Sequence, residues 1–396
     1  MFKNKKILIV TMLFTVCFCI TSMISKFIFS QNAVASLNIP ITIEPRYNYP
    51  NIILTAGYEN ATCTVKDVNG NDISQDDAKK FFIEDENVQD SYGNCFVKLK
   101  KYYINMSQDT SGGNYDGVIT YKLATTKIDD SYFVCPYFYD KDGNEIEYAY
   151  YGKYKGSVNA SNRLCSKIGL TPTYNTNVDT FRTYARANGD EYHQTDWCAV
   201  FTAQIMCMCV YKTTNSDNIF SSLTAYETNT GEANEENIVL GIEDLIGNGF
   251  EFVDGVRFNS GTTFNQCSIT WSDKISDYSA DITTNETNLS GEDPTDINNC
   301  YIRKMNCVNG KPALCIFPSA LTNGSSQTYY CDEFTFSSAY YDQDDEYIHL
   351  NITTSAMCWG ASYSLDNYGL FNLVCGDSWR VTSGMVGSRL HAKALA

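Results

Sequence analysis

Hydrophobic residues recur at helical spacing in two adjacent segments near the middle of the chain. The first covers residues 177–188, where Asn177 is a candidate N-cap and Gly189 supplies a stop signal, as expected at helix ends. The second covers residues 196–211. Its apolar positions form one stripe, which predicts a helix packed against the core rather than a cofactor site: Trp197, Phe201, Ile205 and Met208.

Alternating apolar and polar positions predict short strands on the N-terminal side of these helices. Asn69-Gly70 and the polar segment around Gly143 are typical of hairpin turns. The predicted strands cover residues 39–43, 51–55, 96–104, 131–138 and 148–154. The pattern shows no fixed-period repeat, and it predicts an α+β fold with two helices, short strands and long loops.

The chain begins with the layout of a secretory signal peptide. Three lysines precede a long apolar run, and Ala33-Val34-Ala35 matches a small-residue cleavage pattern. Residues 1–35 are therefore predicted to be removed on export, leaving a secreted or cell-surface protein with no membrane insertion after cleavage. An uncleaved membrane anchor is the alternative, because the run is long enough to span a bilayer.

Composition divides the rest of the chain. Residues 36–89 are predicted to form a small β-rich N-terminal region, and residues 90–396 a larger ligand-binding domain. Within that domain, residues 259–347 are rich in Asn, Ser, Thr and Asp and contain only short strand signals. This composition predicts a loop-rich insertion.

The formal net charge is −17. The predicted signal peptide contains four lysines and no acidic residue, so the exported part is more acidic still. Binding to nucleic acid or to anionic lipid needs a basic surface, and we therefore expect neither partner. Such acidity is typical of a protein that stays soluble outside the cell.

Sixteen cysteines are present, and Cys17 and Cys19 lie in the predicted signal peptide. Exported cysteine-rich proteins are usually oxidised, so disulfides are expected, although the sequence does not reveal their pairing. Cys207 and Cys209 are too close for an ordinary bridge to each other, and we expect them to find separate partners or to stay reduced and buried. Bridges through the cysteines of the insertion would brace it: Cys267, Cys300, Cys307, Cys315 and Cys331.

Five motifs follow one another in an order that resembles a known superfamily. They are Gly152-Lys153-Tyr154, Phe181-Arg182-Thr183-Tyr184-Ala185, residues 247–255, Gly369-Leu370-Phe371 and Gly387-Ser388-Arg389-Leu390. Their order resembles the formylglycine-generating-enzyme (sulfatase-modifying factor) type of the C-type lectin fold. Within that type, the chain is similar to variable binding proteins of phage tails and bacterial surfaces, some of which are diversified by retroelements. The resemblance covers residues 90–396.

The resemblance implies roles for particular residues. Arg389 would be a buried, multiply bonded anchor, and Glu251 would lie in a structural turn near the ligand face. Side chains between residues 357 and 380 would be exposed on a fixed backbone and would contact the ligand, and Tyr, Trp and Arg often dominate binding energy. For each of these candidates, and for Trp359 in particular, plain core packing is the alternative. The candidate ligand-binding residues are Trp359, Tyr363, Asp366, Asn367, Tyr368, Asn372, Asp377, Trp379 and Arg380.

Enzymes of the same superfamily provide a comparison for catalysis. The resemblance implies that copper-dependent members need a close cysteine pair, whereas Cys358 and Cys375 are far apart in this sequence. It also implies that iron-dependent members need a histidine-rich site, whereas this chain has three histidines. His193, Asp196 and Cys198 suggest a nucleophile pair, but their spacing across a helix start favours a capping Thr195 or Asp196 and a buried or bridged Cys198. The protein is therefore predicted not to be an enzyme.

Calcium is the one cofactor that the sequence leaves open. Asp140, Asp142 and Asn144 place oxygen atoms at alternating positions around Gly143. This partly matches a calcium loop but lacks the bidentate Glu at its twelfth position, and a hairpin turn is the alternative. The Glu-Pro-Asn and Gln-Pro-Asp triplets with which lectins bind sugar through calcium are absent from the sequence.

Taken together, the sequence predicts an exported, non-catalytic binding protein for adhesion or receptor recognition. Its partner would be a protein or glycan ligand on another cell or surface. Retroelement diversification of the codons for residues 357–386 is an extension of this hypothesis. The alternatives are a secreted enzyme of the same superfamily with a diverged site, and a structural protein of a phage tail.

Overall fold

The computed structural model describes residues 50–220, 224, 228–259, 267–279, 282, 284–288, 300–323, 330, 334–336, 339–342, 347–350, 355–360, 369–378 and 382–396. These residues belong to one compact unit. The predicted signal peptide and the predicted strand at residues 39–43 lie outside them. Among the described residues, no helix is both long and apolar enough to cross a membrane.

Three α-helices occur in the described part of the chain: α1 (Gln75–Phe82), α2 (Val178–Arg186) and α3 (Trp197–Tyr211). The side chain of Asn177 accepts a hydrogen bond from Thr180 N at 2.9 Å, and that of Asp196 accepts one from Ala199 N at 2.7 Å. Both predicted helices and their N-caps are thus confirmed. The α1 helix is not predicted by the pattern above, although Ser74 caps it.

The α3 helix is buried on every side. All its residues except Tyr211 are buried, including the polar Thr202 and Gln204. The predicted core stripe is therefore confirmed, but it is part of a helix without a solvent face. Cys207 and Cys209 lie in this helix as buried thiols, which is one of the two outcomes expected for them.

Short strands make up most of the remaining regular structure. In chain order, the described strands are β1 (Ile52–Ala56), β2 (Thr64–Lys66), β3 (Ile83–Gln89), β4 (Cys95–Lys100), β5 (Tyr103–Gln108), β6 (Ile119–Ala124), β7 (Phe133–Val134), β8 (Tyr148–Gly152), β9 (Ser157–Val158), β10 (Leu164–Cys165), β11 (Tyr192–Gln194), β12 (Ile238–Val239), β13 (Ile242–Glu243), β14 (Phe250–Asn259), β15 (Ser268–Trp271), β16 (Asn285–Asn288), β17 (Cys300–Met305), β18 (Pro318–Asn323), β19 (Phe334–Phe336), β20 (Ala339–Asp342), β21 (Tyr347–Leu350), β22 (Ser355–Trp359), β23 (Leu373–Ser378), β24 (Val386–Gly387) and β25 (Leu390–Ala392).

The first sheet has the antiparallel order β2-β1-β6-β5-β7. Its β1 strand confirms the strand predicted at residues 51–55. The single strand predicted at residues 96–104 is wrong, because β4 and β5 belong to different sheets. The strand is interrupted at Lys101 and Tyr102. Lys101 N donates to Glu147 O, and Tyr102 O accepts from Cys135 N, and neither bond belongs to the ladder of β4 or of β5.

The second sheet has the order β11-β25-β8-β4-β3. The β25 strand lies inside this sheet, since Ala392 pairs with Tyr192 on one side and with Tyr150 on the other. The β8 strand confirms the strand predicted at residues 148–154, although β8 ends at Gly152, two residues earlier than predicted. The β3 strand, from the predicted N-terminal region, pairs with β4, and the predicted boundary at residue 89 stays a prediction.

The third sheet has the order β16-β15-β14-β22-β23-β19, and β24 runs parallel beside the start of β14. Part of the predicted insertion, residues 259–347, contributes to this sheet through β15, β16 and β19. The α3 helix packs against α1, β1 and β14, so it joins the first and third sheets through one core. These elements confirm the α+β class.

Candidate functional site

The Gly387-Ser388-Arg389-Leu390 motif places Arg389 inside the protein. The residue is 0% exposed, and its Nε donates to Glu251 Oε1 at 3.0 Å. Its terminal nitrogens donate to three backbone carbonyl oxygens, at 3.3, 3.0 and 2.6 Å: those of Gly152, Glu243 and Asp244. A planar fork of five donors suits this arrangement. The prediction of a buried, multiply bonded anchor is confirmed.

Glu251 lies between two buried cations. Its Oε1 lies 2.8 Å from Lys155 Nζ and 3.0 Å from Arg389 Nε, and its Oε2 accepts from the Thr195 hydroxyl at 2.5 Å. Burial raises the pKa of Glu251, but the two cations and the hydrogen bonds outweigh burial and lower this pKa to about 2. We call Glu251, Arg389, Lys155 and Thr195 the anchor cluster. Glu251 is completely buried and lies near the start of β14 rather than in a turn, and its structural role stays a prediction.

Two glycines allow the chain to approach the motif that carries Arg389. A Cβ atom on Gly152 would lie 2.1 Å from Leu390 O, and one on Gly156 would lie 2.6 Å from Ser388 O. Both contacts are with backbone atoms that cannot rotate away, so only glycine fits. The first of the five motifs and the last are therefore packed backbone to backbone.

A second buried ion pair joins α2 to β14. Arg182 donates to both carboxylate oxygens of Asp254, from Nε at 2.8 Å and from Nη2 at 2.7 Å. Gln194 Nε2 also donates to Asp254, at 2.9 Å. Burial opposes the charge of Arg182, but the facing Asp254 raises the pKa of the guanidinium above its usual value. This bidentate pair fixes the second motif against the third.

His193, Asp196 and Cys198 meet through Tyr278. His193 Nδ1 lies 3.1 Å from Asp196 Oδ2, and the Tyr278 hydroxyl donates to the same oxygen at 3.0 Å. Cys198 Sγ lies 3.9 Å from that hydroxyl, and all four residues are buried. Burial, together with Asp196, raises the pKa of the Cys198 thiol well above its usual value. A catalytic cysteine needs the opposite shift, so this geometry favours a structural cluster.

The third histidine completes this buried network. His391 Nδ1 lies 2.9 Å from the Tyr137 hydroxyl, and its Nε2 lies 3.3 Å from Thr195 Oγ1. Its ring stacks on that of His193, with 5.4 Å between the ring centroids. Burial and the neighbouring His193 hold the pKa of His391 well below its usual range. A neutral His391 therefore links the anchor cluster to the His193 side of the core.

The structure corrects two of the predicted ligand-binding residues. Trp359 is 1% exposed and donates from Nε1 to Leu370 O at 2.7 Å, and Asn372 is 0% exposed. Neither side chain reaches a surface, because both pack inside the third sheet. The backbone of Asp377 lies in β23, but its side chain is outside the described residues. The other candidates lie wholly outside them: Tyr363, Asp366, Asn367, Tyr368, Trp379 and Arg380.

The register of β22 with β23 divides those remaining candidates into two groups. Trp359 pairs with Leu373, and Ser355 pairs with Ser378. The chain thus connects the two strands at one end of the pair, through residues 360–372, and leaves β23 at the other. Six residues of strand span roughly 17 Å. In the sequence, Tyr363 to Tyr368 fall within the connection between the two strands, and Trp379 and Arg380 follow β23.

The candidate calcium loop has the contacts of a hairpin turn. Asp140 accepts hydrogen bonds from Asp142 N at 2.9 Å and from Asn144 N at 2.8 Å. Lys141 Nζ lies 2.8 Å from Asp142, and Lys101 Nζ lies 2.6 Å from Glu147. The carboxylates are therefore engaged by local donors, and the described residues contain no group of three His, Cys, Asp or Glu that could hold a metal. We interpret this segment as a turn.

Several residues of the buried network were not singled out from the sequence. Lys155 and Lys393 are each 3% exposed, and Lys393 Nζ donates to Tyr137 O at 2.8 Å. The sequence gives little indication that these lysines are buried, because a single lysine in a short strand or loop usually lies in solvent. A lysine directly before Gly156, whose backbone approaches another segment, is the one hint that the sequence offers.

Comparisons with protein families and with curated proteins were made for the chain. No protein-family model matches the chain, and no curated protein matches it either. The functional interpretation is therefore built on the residues and contacts above. In the described part of the chain, these residues and contacts form a buried framework that includes strands of the third sheet.

Proposed function

We propose that the protein is an exported, non-catalytic binding protein whose scaffold resembles the formylglycine-generating-enzyme type of the C-type lectin fold. Its ligand would be a protein or glycan on another cell or surface. Recognition would be carried by side chains of the connection between β22 and β23, displayed by a rigid interior. Export would follow cleavage after residue 35.

The observation that carries this proposal is the meeting of all five motifs in one framework. Arg389 of the last motif bonds Gly152 of the first and Glu251 of the third, and Arg182 of the second pairs with Asp254 of the third. The remaining motif joins through Leu370, whose carbonyl accepts from both Trp359 and Gln204. Motifs that are distant in sequence but bonded in the interior support a shared scaffold rather than chance similarity.

The same framework supports one end of β22–β23 as the recognition surface. Glu251 pairs with Trp359 in the sheet, and β24 lies beside the start of β14 at this same end. Met385 precedes β24 and is 46% exposed, while its carbonyl accepts from Phe250 N at 2.9 Å. An exposed side chain on a fixed backbone is what a binding surface needs. We therefore place Tyr363, Tyr368 and Met385 in the proposed contact region.

A non-catalytic role is supported by Cys358 and Cys375, the cysteines nearest to the region in which the copper-dependent members of the superfamily carry their close pair. Cys358 and Cys375 are both buried and face different core clusters, on opposite faces of the sheet. Burial raises the pKa of the Cys375 thiol well above its usual value. Two thiols on opposite faces do not make a shared copper site.

The recognition surface is tested by replacing Tyr363, Tyr368 and Trp379 with alanine together. The wild-type protein is first screened on a glycan array and on intact cells, and the strongest hit is then titrated with the variant. We expect at least a tenfold loss of affinity, because buried aromatic contacts of this kind are each worth about 2 kcal/mol or more. Unchanged binding would show that the recognition surface lies elsewhere.

A matched control replaces three exposed tyrosines that lie outside the proposed contact region. Tyr92, Tyr115 and Tyr148 are 38%, 60% and 37% exposed, and their triple alanine variant is expected to bind as the wild type does. Because Trp379 follows β23 in the sequence and is not part of the connection between β22 and β23, the Tyr363/Tyr368 pair and Trp379 are also tested separately. We expect the pair to carry most of the loss.

Export and the absence of catalysis have their own tests. N-terminal sequencing of protein recovered from the producing cells should begin at Ser36, and retention of residues 1–35 would favour the membrane anchor. Stoichiometric copper or iron in the purified protein would favour the secreted enzyme instead. A near-copy of the codons for residues 357–386, differing at adenines and lying beside a reverse transcriptase, would support retroelement diversification.

A further inference from the structure

The outer face of the first sheet carries a row of three hydroxyl groups. Thr55 of β1 pairs with Thr120 of β6, and Thr120 pairs with Ser107 of β5. Because residues directly opposite each other in a ladder point to the same face, the three hydroxyls lie side by side. They are exposed or half-buried, whereas the neighbouring Leu54 and Met106 are buried on the other face. Strands lie about 4.8 Å apart, so the row is about 10 Å long.

Two tyrosines lie beside this row. Tyr58 and Tyr115 meet edge to face, with 6.1 Å between their ring centroids and 84° between their planes. Tyr115 is 60% exposed, so much of its ring surface is open to solvent. Both lie in hydrogen-bonded turns, since Ala61 N donates to Tyr58 O and Val118 N donates to Tyr115 O, each at 2.9 Å. The aromatic surface is therefore held in place before a ligand arrives.

The hydroxyl row and the two tyrosines line one cleft of about 450 Å³. Small-molecule sites usually enclose about 300–1,000 Å³. Gln108, Asp109 and Val118 complete the lining. Gln108 Nε2 donates to Gly117 O at 3.2 Å and to Met305 O at 2.9 Å, which fixes the amide at the edge of the cleft. The cleft thus has a polar floor, aromatic walls and a bonded rim.

A second cleft, of about 360 Å³, shares Tyr58 with the first. Its other lining residues are Glu59, Asn60 and Asn114, which add amide and carboxylate groups to the polar surface. Asn60 Oδ1 accepts from the Thr62 hydroxyl at 2.6 Å, and this bond orients the Asn60 amide. The two clefts adjoin at Tyr58, so a ligand of more than one ring can extend from one into the other.

The chemistry of the lining selects the class of ligand. Among the residues that line the two clefts, Asp109 and Glu59 carry the formal charge, so a phosphate or another anion meets no cation there. Thr55 pairs with Thr64 as well as with Thr120, so a peptide cannot add to this part of the sheet as a strand. Hydroxyl and amide groups around aromatic rings suit a ligand that is polar at its edge and apolar on its faces.

We propose that the two clefts, which we call the tyrosine cleft, bind a neutral oligosaccharide. One pyranose ring packs its apolar C–H face against Tyr115, and its hydroxyl groups bond to the row of Thr55, Thr120 and Ser107. The next sugar unit extends past Tyr58. This site is separate from the connection between β22 and β23, and it depends neither on that connection nor on export.

The test measures binding of short oligosaccharides to the purified protein by saturation-transfer NMR. The neutral probes are maltotriose, cellotriose, mannotriose and chitotriose, and trigalacturonate is the charged comparison. At least one neutral probe should bind with a millimolar dissociation constant. Trigalacturonate should bind more weakly, because Asp109 and Glu59 repel its carboxylates. Binding of no neutral probe, or a preference for trigalacturonate, would overturn the proposal.

Variants show whether a bound probe occupies the tyrosine cleft. Tyr58→Ala and Tyr115→Ala should each weaken binding by about tenfold or more, whereas Tyr115→Phe keeps the ring and should bind as the wild type does. Tyr148→Ala is the matched control, because Tyr148 is 37% exposed in β8 of the second sheet. Wild-type affinity in both alanine variants of the cleft would place the saccharide elsewhere and refute the proposal.

The floor of the cleft is tested without a change in the shape of the strand. Thr120→Val keeps the β-branched side chain that suits a strand and removes one hydroxyl, so binding should weaken by about fivefold. Circular dichroism checks that each variant is folded, and unchanged affinity in a folded Thr120→Val would contradict the role of the hydroxyl row.

A final variant separates this site from the proposed recognition surface. Replacing Tyr363 and Tyr368 with alanine should leave binding of the neutral probes unchanged, so the two proposals can fail independently. A glycan-array hit that is weakened by replacing Tyr115, but not by replacing Tyr363 and Tyr368, belongs to the tyrosine cleft. Loss of the neutral probes in the Tyr363/Tyr368 variant alone would move their site to the recognition surface and refute the tyrosine cleft.

Discussion

Replacing Arg389 with methionine tests the anchor cluster most directly. The substitution removes the charge that faces Glu251 at 3.0 Å and leaves three backbone carbonyls without their donor. Removing one partner of a buried ion pair costs about 3–5 kcal/mol, and a buried unsatisfied carbonyl costs about 1–3 kcal/mol. These costs overlap, because Lys155 remains beside Glu251. We expect a loss of about 4 kcal/mol or more, against a total stability of about 5–15 kcal/mol.

The loss is measured by urea unfolding followed through tryptophan fluorescence, since Trp197 and Trp359 are buried. Lys127→Met is the matched control, because Lys127 pairs with Asp130 at 3.0 Å on the surface, and it should leave the unfolding free energy nearly unchanged. If Arg389→Met does not fold, Arg389→Lys keeps the charge, loses the fork and should lie between the two. A loss below about 1 kcal/mol for Arg389→Met would refute the reasoning.

Two further predictions concern the same framework. Gly152→Ala should prevent folding or lower the unfolding midpoint sharply in circular dichroism, because its Cβ would meet Leu390 O at 2.1 Å, whereas Gly113→Ala has room and should be neutral. His391 is neutral when folded, since its pKa is well below the unfolded value of about 6.5. Only the unfolded chain takes up this proton below about pH 6.5, so stability should fall between pH 7 and pH 5, by at most about 1.4 kcal/mol per pH unit. His391→Gln should flatten that decline in urea titrations, and an unchanged slope would contradict the assignment.

The helices could be predicted from sequence because their signals are local. Asn177 and Asp196 stand directly before apolar residues at helical spacing, and both cap as expected. The α1 helix is hard to predict because it is short, and its apolar residues Ala78, Phe81 and Phe82 lie among charged residues in a segment with strand signals on both sides. Ser74 supplies its N-cap.

The candidate site was harder to predict because burial depends on which segments meet. Trp359 fits an aromatic recognition stretch by sequence, yet the Leu370 carbonyl accepts its indole N–H inside the core. Strand register likewise decides that Trp359 lies opposite Leu373 and Ser355 opposite Ser378, which the sequence pattern does not reveal. Arg389 was predictable because a motif identified it, whereas Lys155 had no motif to mark its ion pair.

The interior position of β25 constrains how the protein is made. This strand lies between β11 and β8, and it follows every other strand of the second sheet in the order of synthesis. The sheet therefore cannot close, and Glu251 cannot acquire its partner Arg389, until residues 386–392 have emerged from the ribosome. Folding of this sheet is thus delayed until β25 has been translated. A polypeptide interrupted before Arg389 would expose an unpaired strand edge, a feature that favours aggregation.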